Sequence, residues 1–338
     1  MAKSKDRITE YLIEANKGIL FDELSDEYLQ KAGLYDILHG VPVPLVLDDE
    51  GMSTLTLAYG MARIVGGDIN FVYSDAYIKY IRLVLGDKAD RVLLSEGVRL
   101  ASEGDYESAC MFFRAVLAFE PESCDALYLY GRACKDAYEK GSTEEREESY
   151  VGNFKAESLE VFELLTMIHP EFAMGYYFLG YGYLNLGLYT KARLTWRSFM
   201  ELTEEGSGVN SDTNGGADIG ELRKEISQRL SMLDEPVEIE NACNMIMSGN
   251  YQGGLAILES YSKGRYSKWW PMWYYMGIAR EAMADIDGAI SAFKQALQYS
   301  PSNTDIMREL VQIYEAIGDE AGRTKYAKKI DLILNSEG

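Results

Sequence analysis

Imidazole is nearly absent from this chain: His39 and His169 are the two histidines in 338 residues, and neither sits in a motif. General acid–base chemistry near neutral pH draws first on histidine, so little is offered for a catalytic centre. The GxxxxGK and GxGxxG phosphate turns, the HExxH zinc pair and the GxSxG elbow are missing too, and no cofactor is expected. Cys110, Cys124, Cys134 and Cys243 form no CxxC pair. That spacing disfavours a zinc site and fits reduced thiols, so a cytoplasmic protein without a metal is expected. Asp212 and Asp218 lack the spacing of a calcium loop. Basic residues are scarce, 33 against 54 acidic ones, a net charge of -21 that opposes binding to nucleic acid. Long apolar runs are missing as well. "LTLAYGMARIVGG" is broken by Arg63 and falls short of the roughly 20 residues a membrane span requires, and the charged N-terminal stretch contains no secretory core.

Small residues at fixed intervals stand out. Gly97, Ala109, Phe113 and Pro121 follow one another at steps of 12, 4 and 8 residues, and Gly277, Ala289, Phe293 and Pro301 repeat the series. Gly180, Ala192 and Trp196 give the same first two steps, and Trp273 stands four residues before Gly277. Between glycine and alanine lie the breaks "SEGDY", "NLGLY" and "MADID", flanked by apolar residues at helical intervals. The pattern predicts helix, tight turn, helix. Small side chains let two antiparallel helices approach, a large ring fills the space further along, and proline stops the second helix.

This spacing resembles the tetratricopeptide repeat, a 34-residue helix pair. The resemblance implies an all-α fold, an α-solenoid of stacked antiparallel helix pairs wound as a right-handed superhelix, with an additional helical N-terminal region. Weaker copies extend the frame. One pairs Gly131 with Ser158, 27 residues on, and so carries a 15-residue acidic insertion near 141–155, a solvated helix extension or loop. Another has Ala242 and Gly254; the last, with Val311 and Arg323 at the small positions, suits a terminal cap. Six pairs are thus expected, starting near 90, 124, 173, 235, 270 and 304. Residues 205–219, rich in Gly, Ser, Asn and Asp, are expected to form a flexible linker between repeats at 90–204 and at 220–338. In residues 1–89, Ser25 and Ser74 look like helix N-caps, Pro42 and Pro44 force an extended run, and Tyr59, Gly60, Ala76 and Tyr80 sketch a worn seventh pair.

In such a stack the first helix of each pair lines the concave side. The positions one past the aromatic and one past the glycine then give Leu94 and Val98, Tyr128 and Arg132, Tyr177 and Tyr181, and Tyr274 and Ile278. Apart from Arg132 this lining is not basic, which argues against a clamp for acidic C-terminal tails. Tyr128, Arg132, Tyr177, Tyr181, Tyr274 and Ile278 are therefore expected to form an aromatic groove for a protein or peptide. Because residues 90–234 hold 26 acids and 14 bases, a net of -12, the partner is expected to be basic or amphipathic. The extended "VPVPLVL" at 41–47 is a competing occupant from the chain itself. A self-assembling scaffold is the alternative, with Trp269 and Trp270 in "KWWPMWYY" as surface contacts, and an enzyme or small-ligand sensor would need its site in residues 1–89.

Overall fold

The helix-to-helix turns repeat one design. Gly104, Gly187, Gly249, Ala284 and Gly318 all have left-handed backbones, with φ between 62° and 93°. In four of the five the next residue is Asp or Asn, whose side chain caps the following helix. Asp105 accepts from the Ser108 amide at 3.1 Å, Asn250 from Gly253 at 3.2 Å, Asp285 from Gly288 at 3.1 Å and Asp319 from Gly322 at 3.0 Å. A left-handed residue reverses the chain and an acceptor side chain starts the next helix, so the break cannot be read through as one long helix.

The computed structural model of the protein describes residues 6–45, 53–204 and 218–336. They form α1 (Thr9–Ala15), β1 (Leu20–Glu23), α2 (Asp26–Ala32), α3 (Tyr35–Leu38), β2 (Pro42–Leu45), α4 (Thr54–Gly67) and α5 (Ser74–Leu85). Six helix pairs follow: α6 (Ala89–Ser102) with α7 (Tyr106–Leu117), α8 (Cys124–Thr143) with α9 (Glu148–Ile168), and α10 (Ala173–Asn185) with α11 (Tyr189–Leu202); then, after α12 (Ile219–Met232), α13 (Asp234–Met247) with α14 (Tyr251–Tyr261), α15 (Trp270–Ala282) with α16 (Ile286–Tyr299), and α17 (Thr304–Ala316) with α18 (Glu320–Ser336). Their starts match the six positions the spacing predicts. The expected linker lies outside the described residues except for Asp218 and Ile219.

Two compact units divide the chain. One comprises Met1–Leu186 and Leu194–Arg223, the other Gly187–Arg193 and Lys224–Gly338. Each is built of stacked helix pairs, and among the described residues the one sheet is the short antiparallel ladder of β1 and β2 in the first unit.

In four pairs a glycine backbone lies directly under a ring from the opposite helix. A Cβ on Gly180 would collide with the Trp196 indole, and one on Gly97 with the Phe113 ring. At Gly131 it would stand 2.9 Å from Phe162 Cζ, and at Gly277 2.6 Å from Phe293 Cε1. Trp196, Phe113, Phe162 and Phe293 are buried, and the Trp196 indole N–H donates to the Tyr177 carbonyl at 3.1 Å. Where the sequence departs from the pattern, a close glycine contact is found on the second helix, against backbone in one pair and under a ring in the other. In α13–α14 the glycine is on the second helix, and a Cβ on Gly254 would lie 2.6 Å from the Ala242 carbonyl oxygen. In α17–α18 Gly322 sits under Tyr314, which stacks on Tyr326 with centroids 6.0 Å apart.

The insertion at 141–155 lengthens both helices of its pair and leaves a short turn at 144–147, so α8 and α9 run 20 and 21 residues against 13 for α10. In the N-terminal region Ser25 caps α2 as expected, accepting from the Tyr28 amide. Ser74 does not cap: it is the first residue of α5, and its hydroxyl donates to the Phe71 carbonyl at 2.7 Å. Pro42–Leu45 forms β2, with Val43 fully buried and the Pro42 carbonyl accepting from the Tyr77 hydroxyl at 2.6 Å. This part of "VPVPLVL" packs into the N-terminal core and not along the first helices of the repeats; its last two residues lie outside those described. The tightest crossing here joins α4 to α7, where a Cβ on Gly66 would collide with the Met111 carbonyl oxygen.

α1 straps this region together. Asp6, just ahead of it, pairs with Arg114 of α7 at 2.5 Å, Arg7 pairs with Glu160 of α9 at 3.4 Å, and Tyr11 accepts from Asn153 of α9 at 3.2 Å. Cys110 and Cys134 bring unbonded sulfurs to 3.8 Å between α7 and α8.

Two substitutions of the same kind should have opposite signs. Gly180→Ala should destabilise by about 2 kcal/mol because the Trp196 indole cannot yield, whereas Gly152→Ala, on α9 with nothing within 4 Å, should stabilise by about 0.5–1 kcal/mol through helix propensity. Ala284→Gly should gain about 1 kcal/mol by removing a strained left-handed alanine. Urea unfolding of the full chain measures all three.

Candidate functional site

The first helices of successive pairs in the first unit, α6, α8 and α10, carry the residues that the groove reading singled out. On α8, Tyr128 and Arg132 are one helical turn apart, and on α10 so are Tyr177 and Tyr181. Phe178 joins the two sets. Its ring lies 6.0 Å from Tyr128 and 5.1 Å from Tyr177, and the Arg132 guanidinium sits 5.6 Å from the Tyr128 centroid and 5.7 Å from that of Phe178. Tyr177 and Tyr181 are themselves edge-to-face at 5.3 Å, and Tyr181 packs on Trp196 at 4.9 Å. The four residues thus form one cluster bridging α8 and α10. They differ in exposure: Tyr128 is buried, with 5% of its surface left, while Arg132, Tyr177 and Tyr181 are half-buried.

Beside this cluster a cleft of about 400 Å³ opens where α8, α9 and α10 meet. Its apolar wall is Leu159 and Phe162 of α9 with Phe178 and Tyr181 of α10; Tyr138 closes it on the α8 side. The lengthened α8 and α9 supply part of this wall. Tyr138 and Glu139 lie in the last turns of α8, and Gly152, exposed and without a side chain, leaves the floor open on α9. Lys135 is paired with Glu139 at 2.6 Å, and Lys155 donates to the Asn185 carbonyl at 3.4 Å, so the rim is polar. Burial pushes the Tyr138 hydroxyl up to about 12 and it stays protonated at neutral pH. A smaller hollow of about 240 Å³ lies between α6 and α8, lined by Val98, Phe113, Leu129, Arg132 and Asp136. Arg132 borders this hollow and packs on Phe178, which lines the larger cleft.

Tyr138, Leu159, Phe162 and Phe178 were not among the expected groove residues. Phe178 was within reach of the sequence, three residues before Tyr181 on the same helical stripe. Tyr138 was not, because its place depends on how far the insertion extends α8.

Tyr274 and Ile278 belong to the second unit. Tyr274 is half-buried, its hydroxyl donating to Glu309 at 3.1 Å and its ring 5.7 Å from Phe293; Ile278 packs among the half-buried residues between the cores of α13–α16 and α16–α18. Trp270 lies edge-on to Tyr274 at 6.3 Å. Trp269 is half-buried and, with Tyr189, Pro236, Ile239, Arg265 and Tyr266, borders a hollow of about 190 Å³.

A second cavity of the first unit, about 410 Å³, lies between α4, α5 and α7, and its polar end is formed by Asp6, Arg114, Tyr130 and Glu157. Tyr130 donates to Glu157 at 2.7 Å. Burial holds the Glu157 carboxyl above the usual carboxylate range, outweighing the opposing pull of Tyr130 and Arg114. No group of three or more His, Cys, Asp or Glu side chains among the described residues could hold a metal, and no described helix is long and apolar enough to cross a membrane.

No family model matches the chain, and no curated protein is significantly similar to it. Solved structures do align. MamA from Desulfovibrio magneticus RS-1 is 14% identical, covering 75% of this chain and 98% of that one at a TM-score of 0.29. The APC/C hetero-tetramer Cut9–Hcn1 is 14% identical over 97% of this chain and 56% of that one, with a TM-score of 0.36. A tetratricopeptide repeat protein from Parabacteroides merdae is 13% identical over 82% and 93%, with a TM-score of 0.32. What makes this chain tetratricopeptide-like is the packing inside its own pairs, a glycine under a ring in each of four.

Glu157 gives a signed pH dependence. Folding raises its affinity for a proton, so the folded chain binds more protons than the unfolded one as pH rises above 4.5, and stability falls across that window. Glu157→Gln should therefore raise the melting temperature at pH 8, and the gain should vanish as pH falls below 4.5, where both states are protonated. Melting curves of the two proteins from pH 4 to pH 8 measure it.

Proposed function

We propose that the protein is a non-catalytic interaction module of the cytosol, and that the cleft between α8, α9 and α10 holds the apolar face of a basic or amphipathic segment from a partner protein. The observation that carries this reading is the aromatic cluster of Tyr177, Phe178 and Tyr181, held half-exposed by Trp196 and Arg132 beside a cleft of about 400 Å³. Aromatic side chains already fixed by their neighbours lose little entropy on binding and bury much area. The excess of 12 negative charges over residues 90–234 favours a basic approach and should make association weaken with salt. Free buried cysteines suit a reducing compartment. Tyr274 and Ile278 occupy the corresponding first-helix positions of α15 in the second unit, taken by itself.

The test is capture from native cytosol with a photo-crosslinker at position 155, beside the cleft, comparing the wild type with Tyr177→Ala/Tyr181→Ala. A crosslinked partner should be lost in the double variant while helical circular dichroism is retained, and its yield should drop several-fold between low and high salt. Equal crosslinking by both proteins overturns the groove.

A further inference from the structure

Two thiols meet in the interior of the first unit. Cys110 on α7 and Cys134 on α8 are 24 positions apart in the chain, wholly buried, and hold their sulfurs 3.8 Å from each other. A disulfide closes that separation to roughly 2.05 Å, so the sulfurs have less than about 2 Å left to travel. The other cysteine of this unit, Cys124, begins α8 and lies about 15 Å along the helix from Cys134, too far to bond to it. Burial first, and then its hydrogen bond to Cys110, hold the Cys134 thiol well above the ordinary thiol range, so it keeps its proton at neutral pH. Attack on an oxidant therefore falls to Cys110, and Cys134 is placed to resolve the product.

We propose that Cys110 and Cys134 are a site of oxidative modification, at which hydrogen peroxide joins α7 to α8 through a disulfide. The Cys110 sulfur bonds to one peroxide oxygen as the O–O bond breaks; the other oxygen departs with the Cys110 proton as water, leaving a sulfenic acid. The Cys134 sulfur then attacks that sulfur. The S–S bond forms, the S–O bond breaks, and the hydroxyl leaves with the Cys134 proton as a second water. Two thiols are thereby oxidised by two electrons, and one peroxide is reduced to two waters. The second step is favoured by the contact already made, whereas the first waits on local opening, because neither sulfur meets solvent. Such an opening admits a molecule close to water in size more readily than a bulky one, so a tripeptide disulfide such as oxidised glutathione should fail where peroxide succeeds. The new bond would fasten the second helix of one pair to the first helix of the next, a joint otherwise held by packing alone, and would restrict the unfolded chain. The site does not depend on the α8–α9–α10 cleft.

Peptide mass spectrometry tests the assignment on the folded full chain after exposure to hydrogen peroxide, with remaining thiols alkylated in denaturant. The expected result is one linked species joining the Cys110 and Cys134 peptides, two hydrogens lighter than their sum, absent after oxidised glutathione and reversed by dithiothreitol. The oxidised chain should also melt at a higher temperature than the reduced one. Cys134→Ala removes the resolving thiol, and Cys110 should then be captured by dimedone as the sulfenic acid. The proposal is overturned if Cys110 and Cys134 are still alkylated in full under peroxide that oxidises the half-buried Cys124. It is equally overturned if the two are oxidised separately to sulfinic acids with no link, or if the link forms only in urea.

Discussion

Everything in these stacks depends on two helix backbones coming close enough for a ring on one to lie against a bare Cα on the other. Gly97 under Phe113, Gly131 under Phe162, Gly180 under Trp196 and Gly277 under Phe293 are four occurrences of that contact. It is a steric constraint before it is an attraction: no Cβ fits, so the ring can seat only on glycine, and once seated it fixes both the separation and the register of the pair. The turns enforce the same register from the other end, through a left-handed residue and a capping Asp or Asn. With the pair fixed, which side of the first helix meets solvent is fixed too, and that is what sets Tyr177 and Tyr181 beside the cleft.

This contact is also why so much of the fold can be read from the amino-acid order. Gly, Ala and an aromatic at steps of 12 and 4 leave few arrangements open, and the helices begin at Ala89, Cys124, Ala173, Asp234, Trp270 and Thr304 accordingly. The worn copies keep a close crossing by other contacts: Gly322 lies under Tyr314, and Gly254, with no ring over it, lies against the Ala242 carbonyl and Ile246. Features that depend on meetings between distant segments were not legible. Ser74 differs, being a local shift of one position: a helical pattern follows it, yet Tyr73 holds the cap position and the Ser74 hydroxyl donates to the Phe71 carbonyl three residues back. No local pattern announces that Gly66 will touch the Met111 backbone, or that Pro42–Leu45 will find Leu20–Glu23 as its partner.

For the proposed groove, sequence reading named one stripe of α10, and of its two tyrosines Tyr181 lines the cleft while Tyr177 packs on Phe178 beside it. Tyr177 and Tyr181 follow from register alone. The cleft beside them needs the extra turns of α8 and α9, and these come from an acidic insertion whose composition is equally compatible with a loop. Tyr128 shows the converse limit: it has the register of a lining residue but is covered, because Phe172 at 5.2 Å and Phe178 at 6.0 Å close over its ring.

Repeat arrays ordinarily make contacts only between neighbours, which lets them fray or nucleate one pair at a time. The strap formed by α1 departs from that economy: Asp6 to Arg114 spans 108 positions and Tyr11 to Asn153 spans 142. Closing such long loops raises the contact order of the first unit, and slower folding with a single cooperative transition there is the expected cost. Pairs that would otherwise melt independently are bound into one foldon, whose opening must release the N-terminus first.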